Sequence, residues 1–249
     1  MTFWEHIKYI FRVLFFPHSL KTMEWKMLKL VNKDRKKHGF GKLRMQQDLR
    51  DVARKHSKDM ARKDYFEHEN IAGQTPFDRL DEARVTDVIA GENLAKIRGF
   101  KNPVVKAEIG LMNSPGHRAN ILHKEYNTVG IGIIKSIDKS FYYTQNFASR
   151  DLIFTKKIPH KTTLKKGLKL KGFAFTKAKK IIYQIKRNEN TQQVLNDGIA
   201  KIENNKFQFH INLKKIGIFV VFIYINKVNN PESFKIANKF EIKVRKGWF

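Results

Sequence analysis

The 249-residue sequence contains no cysteine. A disulfide framework, thiol catalysis, an iron–sulfur cluster and cysteine-ligated zinc are therefore excluded. The sequence also lacks a long apolar run: the longest, Ile216 to Ile225, is ten residues long and contains Gly217. Such a run is too short for a membrane-spanning helix and indicates a buried strand.

Acidic residues are scarce relative to basic ones, with 23 Asp and Glu against 50 Lys and Arg and a net charge of +27. Residues 1–150 carry 28 basic and 17 acidic side chains, a net of +11, and residues 151–249 carry 22 and 6, a net of +16. Such a surface attracts polyanions: nucleic acid, anionic lipid or an acidic cell-wall polymer. Lysine-rich codon usage would produce the same excess, since the lysines are scattered along the chain.

The N-terminal residues 1–21 form an amphipathic segment rich in aromatic residues. Glu5, Lys8 and Arg12 fall on one helical face, whereas the other positions are mostly apolar. This pattern is typical of a helix lying in a membrane interface, and a helix packed on the following domain would show it too. The segment lacks the basic start, apolar core and small-residue cleavage site of a signal peptide, so an unusual export signal is the third alternative.

From residue 22 to residue 150 the pattern predicts helices followed by strands. Thr22 predicts the start of a helix that Gly39 ends, and Asp48 predicts the start of a second helix. Three pairs of a capping residue and a proline predict further helix starts: Thr75-Pro76, Asn102-Pro103 and Ser114-Pro115. The Asn102-Pro103 helix should end near Asn113. Two runs of β-branched and aromatic residues predict strands: Thr128 to Ile134 and Phe141 to Phe147.

Residues 155–249 have a different sequence pattern, in which short apolar runs alternate with clusters of residues typical of turns. The runs are Gly167–Phe175, Ile181–Ile185, Gly198–Ile202, Phe207–Leu213, Gly217–Ile225 and Phe234–Val244. Alternation of apolar and polar residues is clear in Phe207 to Ile211. Several short strands at this spacing predict an all-β, Ig-like sandwich domain, with a boundary to the preceding domain near residues 151–162.

Polar residues recur in punctuated motifs between residues 22 and 148. In chain order the motifs begin with His56-Ser57-Lys58-Asp59-Met60-Ala61, Tyr65-Phe66-Glu67-His68, Thr75-Pro76-Phe77-Asp78-Arg79-Leu80 and Gly91-Glu92-Asn93-Leu94. They continue with Ser114-Pro115-Gly116-His117-Arg118-Ala119-Asn120-Ile121-Leu122, Val129-Gly130-Ile131-Gly132 and Tyr142-Tyr143-Thr144-Gln145-Asn146-Phe147. Taken together, this series resembles the prokaryotic branch of the CAP superfamily, also called SCP-like (cysteine-rich secretory proteins, antigen five, pathogenesis-related one).

The resemblance implies an α+β protein whose first domain, residues 22–150, is a CAP-type α-β-α sandwich with a surface cleft. In this family two histidines and two acidic groups from distant segments line the cleft. Matching by motif, His68, Glu92 and His117 fill three of these places, and Ser114 stands at the fourth, as is usual in the prokaryotic branch. Further cleft-lining candidates are Asn93, Gln145 and His56. For His56, which lies on the apolar face of the Asp48 helix, a buried structural role is the alternative.

Two neutral imidazoles and one carboxylate, with an open fourth position, suit a zinc ion. His68, Glu92 and His117 are therefore candidate metal ligands, with zinc as the candidate cofactor. His117 falls in the first turn of the Ser114-Pro115 helix, where the positive end of the helix dipole disfavours imidazolium and keeps the ring able to bind metal. Such a site could activate water for hydrolysis, and it could equally shape a binding cleft.

Two functions follow for a protein with this resemblance. The first is an extracellular or surface-associated binding module that takes a lipid, glycan or protein ligand, with the basic C-terminal domain and the N-terminal segment as contacts for an anionic surface or membrane. The second is a metal-dependent hydrolase acting on peptides or cell-wall material, so whether the protein is an enzyme is left open. Nucleic-acid binding through charge alone is a third possibility, and no recognition motif supports it.

Overall fold

The computed structural model describes residues 19–247, together with Trp4 and Ile7. The chain divides into two compact units. The first unit consists of the described residues up to Val85 together with Ile89–Ser149. The second consists of Thr86–Val88 and the described residues from Arg150 onward.

The predicted amphipathic N-terminal segment, residues 1–21, falls largely outside the described residues. Trp4 and Ile7 within it are helical and exposed. The role of the segment as a membrane-interface helix, a packed helix or an export signal stays a prediction. No helix in the described part of the chain is both long enough and apolar enough to cross a membrane.

Between residues 19 and 149 the first unit contains five helices and four strands. The helices are α1 (Leu20–Lys37), α2 (Gln47–Lys63), α3 (Pro76–Glu82), α4 (Pro103–Asn113) and α5 (Pro115–Ile121). The strands are β1 (Arg44–Met45), β2 (Ala90–Ile97), β3 (Thr128–Lys135) and β4 (Phe141–Ala148). They form one sheet in the order β1-β3-β4-β2. The pairs β3-β4 and β4-β2 are antiparallel, whereas the short pair β1-β3 is parallel.

The two faces of β3 explain why helices can cover both sides of this sheet. Val129, Ile131 and Ile133 are buried in one core with the apolar side chains of α1 and α4. The alternate positions Gly130 and Gly132 face the backbone of α2, and a Cβ atom on either would fall well inside van der Waals contact with that backbone. Glycine therefore allows α2 to lie directly on the strand. The result is the predicted α-β-α sandwich, and the prediction of an α+β fold is confirmed.

The helix starts that combine a cap with a proline were predicted correctly. Thr75 forms a capping box with Asp78, and Pro103 and Pro115 are the first residues of α4 and α5. The predicted caps of the first two helices were wrong. Ser19 caps α1 because its hydroxyl accepts the backbone N–H of Thr22, and α2 begins at Gln47, so that Asp48 lies inside its first turn.

Strand β2 was not predicted, because its sequence does not look like a strand. It contains Glu92 and Asn93, and both side chains are buried. Strand propensity describes residues that fit a pleated, half-buried surface, and buried polar residues do not give that signal. The antiparallel pairing of β2 with β4, which places Glu92 opposite Asn146 and Asn93 opposite Gln145, holds these side chains in place.

The second unit contains eight strands between residues 150 and 247. They are β5 (Leu152–Phe154), β6 (Lys161–Thr163), β7 (Leu168–Ala174), β8 (Lys180–Lys186), β9 (Val194–Lys201), β10 (Lys206–Ile211), β11 (Gly217–Lys227) and β12 (Asn230–Arg245). A three-stranded sheet has the order β10-β7-β5, and a five-stranded sheet has the order β6-β12-β11-β8-β9. The six predicted apolar runs correspond to β7 through β12, whereas β5 and β6 are too short to have been predicted.

One hydrophobic core joins the two sheets of the second unit. Leu170 and Phe207 from the three-stranded sheet share it with Ile181, Val221 and Phe240 from the five-stranded sheet. Alternate residues of the strands point into this core and out to solvent, as in a sandwich of two facing sheets. The prediction of an all-β C-terminal sandwich is therefore confirmed.

The close approach of α2 to β3 generates a stability prediction. Gly132→Ala should lower the free energy of unfolding by at least about 2 kcal/mol, because the added methyl group meets helix backbone that cannot rotate away. Gly110→Ala in α4 is the matched control. Its Cβ would meet nothing within 4 Å, and replacing a helical glycine should raise stability by about 0.5–1 kcal/mol. Urea unfolding of both variants measures the difference, and equal stabilities would contradict the close approach.

Candidate functional site

The carboxylate of Glu92 is the centre of the polar residues that the sequence motifs bring together. Its side chain is almost fully buried in β2. Arg79 of α3 donates from Nη2 to both carboxylate oxygens, at 3.1 Å to Oε1 and 2.9 Å to Oε2. The Nη1 atom of Arg79 donates to the carbonyl of Gln74 at 2.8 Å, which fixes the guanidinium relative to the preceding loop. A buried carboxylate needs a partner of this kind.

His68 approaches the same carboxylate from the loop before α3. Its Nδ1 atom lies 2.8 Å from Oε1 of Glu92, and 51% of the histidine side chain is exposed. Because an ionised carboxylate can only accept, Nδ1 carries the hydrogen and Nε2 is left for a ligand or solvent. The loop is closed by Asn70, whose side-chain oxygen accepts the backbone N–H groups of Ala72 and Gln74.

His117 is the third residue of α5 and lies within electrostatic range of His68. Its backbone carbonyl accepts a hydrogen bond from Nδ2 of Asn93 at 3.0 Å. Partial burial lowers the pKa of His117 below its ordinary value of 6.5, and the nearby His68 lowers it further. The helix dipole was expected to keep His117 neutral, and burial is the larger cause of its lowered pKa. We call His68, Arg79, Glu92 and His117 the His–Glu cluster.

A layer of hydrogen-bonded amides, in which Asn93 and Gln145 are buried, supports the His–Glu cluster. Asn93 donates to Oε1 of Gln145 at 3.1 Å, and Asn120 donates both to Oδ1 of Asn93 at 2.9 Å and to the backbone carbonyl of Glu92 at 3.1 Å. Gly91 leaves room for this layer, since a Cβ there would lie 2.5 Å from the Tyr126 hydroxyl and 3.0 Å from Asn120. These amides set the positions of Glu92 and of the start of α5.

The remaining candidate residues differ in their exposure to solvent. Asn93, Gln145 and His56 are buried, whereas Ser114 is partly exposed and makes no capping hydrogen bond to α5. His56 donates from Nε2 to the carbonyl of Glu67 at 3.1 Å, and burial lowers its pKa. It also lies within electrostatic range of Glu92 and Arg79. The side chains of His68 and His117, with Ser114, are therefore the accessible ones in the predicted set.

The predicted zinc ligands do not form a three-ligand site as they are arranged. The Glu92 carboxylate already accepts hydrogen bonds from both His68 and Arg79. In this arrangement it orients the His68 ring. In the described residues, no group of three or more histidine, aspartate or glutamate side chains has an arrangement that could hold a metal ion. The binding of zinc at His68, Glu92 and His117 stays a prediction, and the geometry favours Glu92 as a partner of His68 over Glu92 as a ligand.

Two titratable residues near the site, Arg79 and Glu108, have roles that the motifs did not predict. Arg79 was only part of a motif, and its pairing with Glu92 across 13 residues leaves no local signal. Glu108 had a signal, because it falls on the same face of α4 as Val104, Ala107 and Leu111 and is buried with them. Burial raises its pKa to about 8, and the charge of Asp34 adds to this shift.

Residues 28–147 match the family model of CAP, the cysteine-rich secretory protein family. These residues form a CAP domain, which confirms the resemblance predicted for about residues 22–148.

Two proteins of Bacillus subtilis are similar to this domain. The uncharacterized protein YkwD is 36% identical over 134 residues, which cover 54% of this chain and 50% of the relative. The uncharacterized membrane protein YlbC is 38% identical over 129 residues, which cover 52% of this chain and 35% of the relative. The chain thus spans half or less of the length of these relatives.

Two solved structures show a similar partial likeness. An extracellular protein with an SCP domain from Bacillus anthracis is 35% identical, with a TM-score of 0.46, and the match covers 52% of this chain and 41% of that one. An outer surface protein from Borrelia burgdorferi is 19% identical, with a TM-score of 0.49, and the match covers 53% of this chain and 96% of that one.

The buried ion pair in the His–Glu cluster generates a second prediction. Arg79→Met should lower the free energy of unfolding by about 3–5 kcal/mol, because it leaves the Glu92 charge buried without its main partner. The double variant Arg79→Met, Glu92→Gln should lose much less, since it removes the charge as well. The exposed pair Lys55–Glu82 provides the control, and Lys55→Met should cost less than about 1 kcal/mol. Equal losses in the single and double Arg79 variants would contradict the role of the buried charge.

The proximity of the two histidines generates a third prediction, measured by NMR titration of the imidazole signals. His68→Ala should raise the pKa of His117 toward its ordinary value, because the electrostatic contribution of His68 that lowers this pKa is removed. His160→Ala in the second unit is the control and should leave the pKa of His117 unchanged. Since the pKa of folded His117 is lowered, its contribution to stability is present above pH 6.5 and is lost as the pH falls toward the folded pKa. A pKa of His117 that does not rise in His68→Ala would contradict the pairing.

Proposed function

We propose that the CAP domain is an extracellular or surface-associated binding module whose ligand contacts His68 and His117 of the His–Glu cluster. The observation that carries the proposal is the double engagement of Glu92 by Arg79 and His68. This engagement fixes the orientation of an exposed imidazole without leaving the carboxylate free. A preorganised polar group with an accessible face is what a ligand site needs.

A hydrolytic function is the weaker candidate, because no nucleophile is paired with a base in the His–Glu cluster. A general base must have a lone pair within reach of the proton that it abstracts, and Nε2 of His68 is the atom that offers one, since the Glu92 oxygens accept hydrogen bonds from Arg79 and His68. Ser114 is the accessible hydroxyl of the predicted set, and no base is paired with it in the described residues. The groups that remain for a ligand are the two imidazoles, which can donate, accept or carry charge.

Exposed apolar side chains near His68 in sequence bear on the chemistry of the ligand. Phe66, Ile71 and Phe77 lie within nine residues on either side of His68 and are 39%, 64% and 59% exposed. Exposed apolar side chains on the segment that carries His68 favour a partner that brings its own apolar surface. We therefore place a protein or lipid ligand ahead of a bare glycan.

The proposed location follows from the family and from the curated relatives. Residues 28–147 belong to a family described as secretory, and one relative is described as a membrane protein. Both descriptions apply to those proteins, and we extend to this chain only the proposal of a place outside the cell or at its surface.

A metal-dependent hydrolase acting on peptides or cell-wall material is the second candidate function. One observation favours it: Glu92 holds Nδ1 of His68, the arrangement in which a carboxylate orients a metal-binding histidine. The absence of a free carboxylate from the His–Glu cluster weighs against it, because the predicted third ligand is already engaged.

Sedimentation of the full chain with three defined probes tests the proposal. The probes are phosphatidylcholine vesicles, peptidoglycan sacculi and immobilised unfolded casein, which represent lipid, glycan and polypeptide ligands. We expect at least one probe to be bound, and binding to fall at least about tenfold in the double variant His68→Ala, His117→Ala, since two ligand contacts of about 1 kcal/mol each are lost.

The control replaces an exposed histidine of the second unit, His160→Ala, and should bind as the unchanged protein does. Binding that is indifferent to the loss of His68 and His117, or no binding to any probe, would overturn the proposal. Release of soluble fragments from the sacculi or the casein that is lost in Glu92→Gln would replace it with the hydrolase.

A further inference from the structure

One face of the three-stranded sheet in the second unit is strongly basic. Along β7 the residues alternate between buried and exposed positions, and Lys169, Lys171 and Phe173 point away from the core. The antiparallel register with β10 places His210, Gln208 and Lys206 directly opposite these three residues. The exposed face of this strand pair therefore carries three lysines and a histidine, with no acidic residue at the six positions.

A groove of about 280 Å³ lies beside this face. The segment after β5 forms its other wall and contributes Lys156 and Lys157, while β7 contributes Lys169 and Lys171. The groove also has apolar lining from Phe154 and Leu170. None of the described residues that line it is acidic.

The four lysines of the groove differ from other lysines of the same unit. Lys235 pairs with Asp151 at 2.7 Å, and Lys239 pairs with Glu189 at 2.9 Å. Within the described part of the chain, none of the four groove lysines has an ion-pair partner. Clustered unpaired cations repel one another and raise the local concentration of anions, so an anionic ligand would relieve this repulsion.

The apolar residues decide which anion fits best. Phe173 is 45% exposed on the same face as Lys169 and Lys171, and Phe154 and Leu170 give the groove an apolar lining. A polyanion of phosphates and sugars would leave the exposed ring of Phe173 in water. A phospholipid surface would suit both the lysines and the exposed aromatic ring. Its phosphates contact the lysines, and its upper acyl region accepts Phe173.

We infer that the groove formed by Lys156, Lys157, Lys169 and Lys171, together with Phe173, docks the C-terminal sandwich onto anionic phospholipid membranes. The lysines contact the lipid phosphates and Phe173 enters the membrane interface. This inference concerns the second unit only and does not depend on the ligand proposed for the His–Glu cluster.

Co-sedimentation of the full chain with vesicles tests the inference at about 0.1 M salt, where charges more than about 10 Å apart are largely screened. The probes are vesicles of phosphatidylglycerol with phosphatidylcholine and vesicles of phosphatidylcholine alone. We expect binding to the first to exceed binding to the second. The double variant Lys169→Glu, Lys171→Glu should weaken it by about thirtyfold or more, because each lysine near an anionic surface contributes roughly fivefold.

The matched control is the double variant Lys180→Glu, Lys201→Glu, which changes the net charge equally at a cross-strand pair of exposed lysines on β8 and β9. It should weaken binding by no more than a few fold. A second variant, Phe173→Ala, should weaken binding several fold without any change in charge.

Three results would overturn the inference. The first is equal loss in the two lysine double variants, which would indicate diffuse charge without a defined face. The second is vesicle binding that Lys169→Glu, Lys171→Glu leaves unchanged. The third is binding of a DNA duplex that Lys169→Glu, Lys171→Glu weakens, without preference for anionic vesicles, which would assign the groove to nucleic acid.

Discussion

The buried negative charge of Glu92 is the constraint on which the rest of the candidate site depends. A carboxylate in this position would be costly without partners, and it receives them from α3 through Arg79 and from the preceding loop through His68. These two contacts connect β2, α3 and the loop between α2 and α3. The hydrogen bond to this buried charge orients the exposed imidazole, which explains how a surface loop can hold the proposed ligand contact in one orientation.

A second buried carboxylate with arginine partners, Glu24, joins the helices α1 and α2. Glu24 of α1 is fully buried and accepts hydrogen bonds from the guanidinium groups of Arg50 and Arg54 on α2. Its Oε1 also faces the backbone N–H of Ile133 in β3, at 3.4 Å. Bidentate guanidinium groups suit this task because their fixed donors match both carboxylate oxygens. Two buried acids with arginine partners therefore tie the helical layers to the sheet.

Structural features that depend on residues close together in the sequence were predictable, whereas those that depend on distant residues were not. The cap and proline at Thr75-Pro76 determine a helix start within four residues, and alternation along β10 determines a strand within six, so both were predictable. Strand β2 carries buried Glu92 and Asn93, whose partners lie 13 to 52 residues away in the chain, and no local rule predicts them. The motif series placed His68, Glu92 and His117 in one region, but it could not show that Arg79 occupies the carboxylate.

The burial of each polar residue indicates its role. Buried polar residues maintain the fold, whereas exposed ones are accessible to a ligand. Asn93, Asn120 and Gln145 exchange hydrogen bonds with one another and with backbone, so changing them disturbs β2 and α5 before it alters any ligand contact. The side chains of His68 and His117 are partly exposed, and the loop that carries His68 also carries the exposed Ile71. The same layer of amides can support many different surface loops, because exposed loop residues contribute little to the free energy of folding. For the proposed binding function, we therefore expect the loop that carries His68 to determine the choice of ligand, and not the buried motif residues that identify the fold.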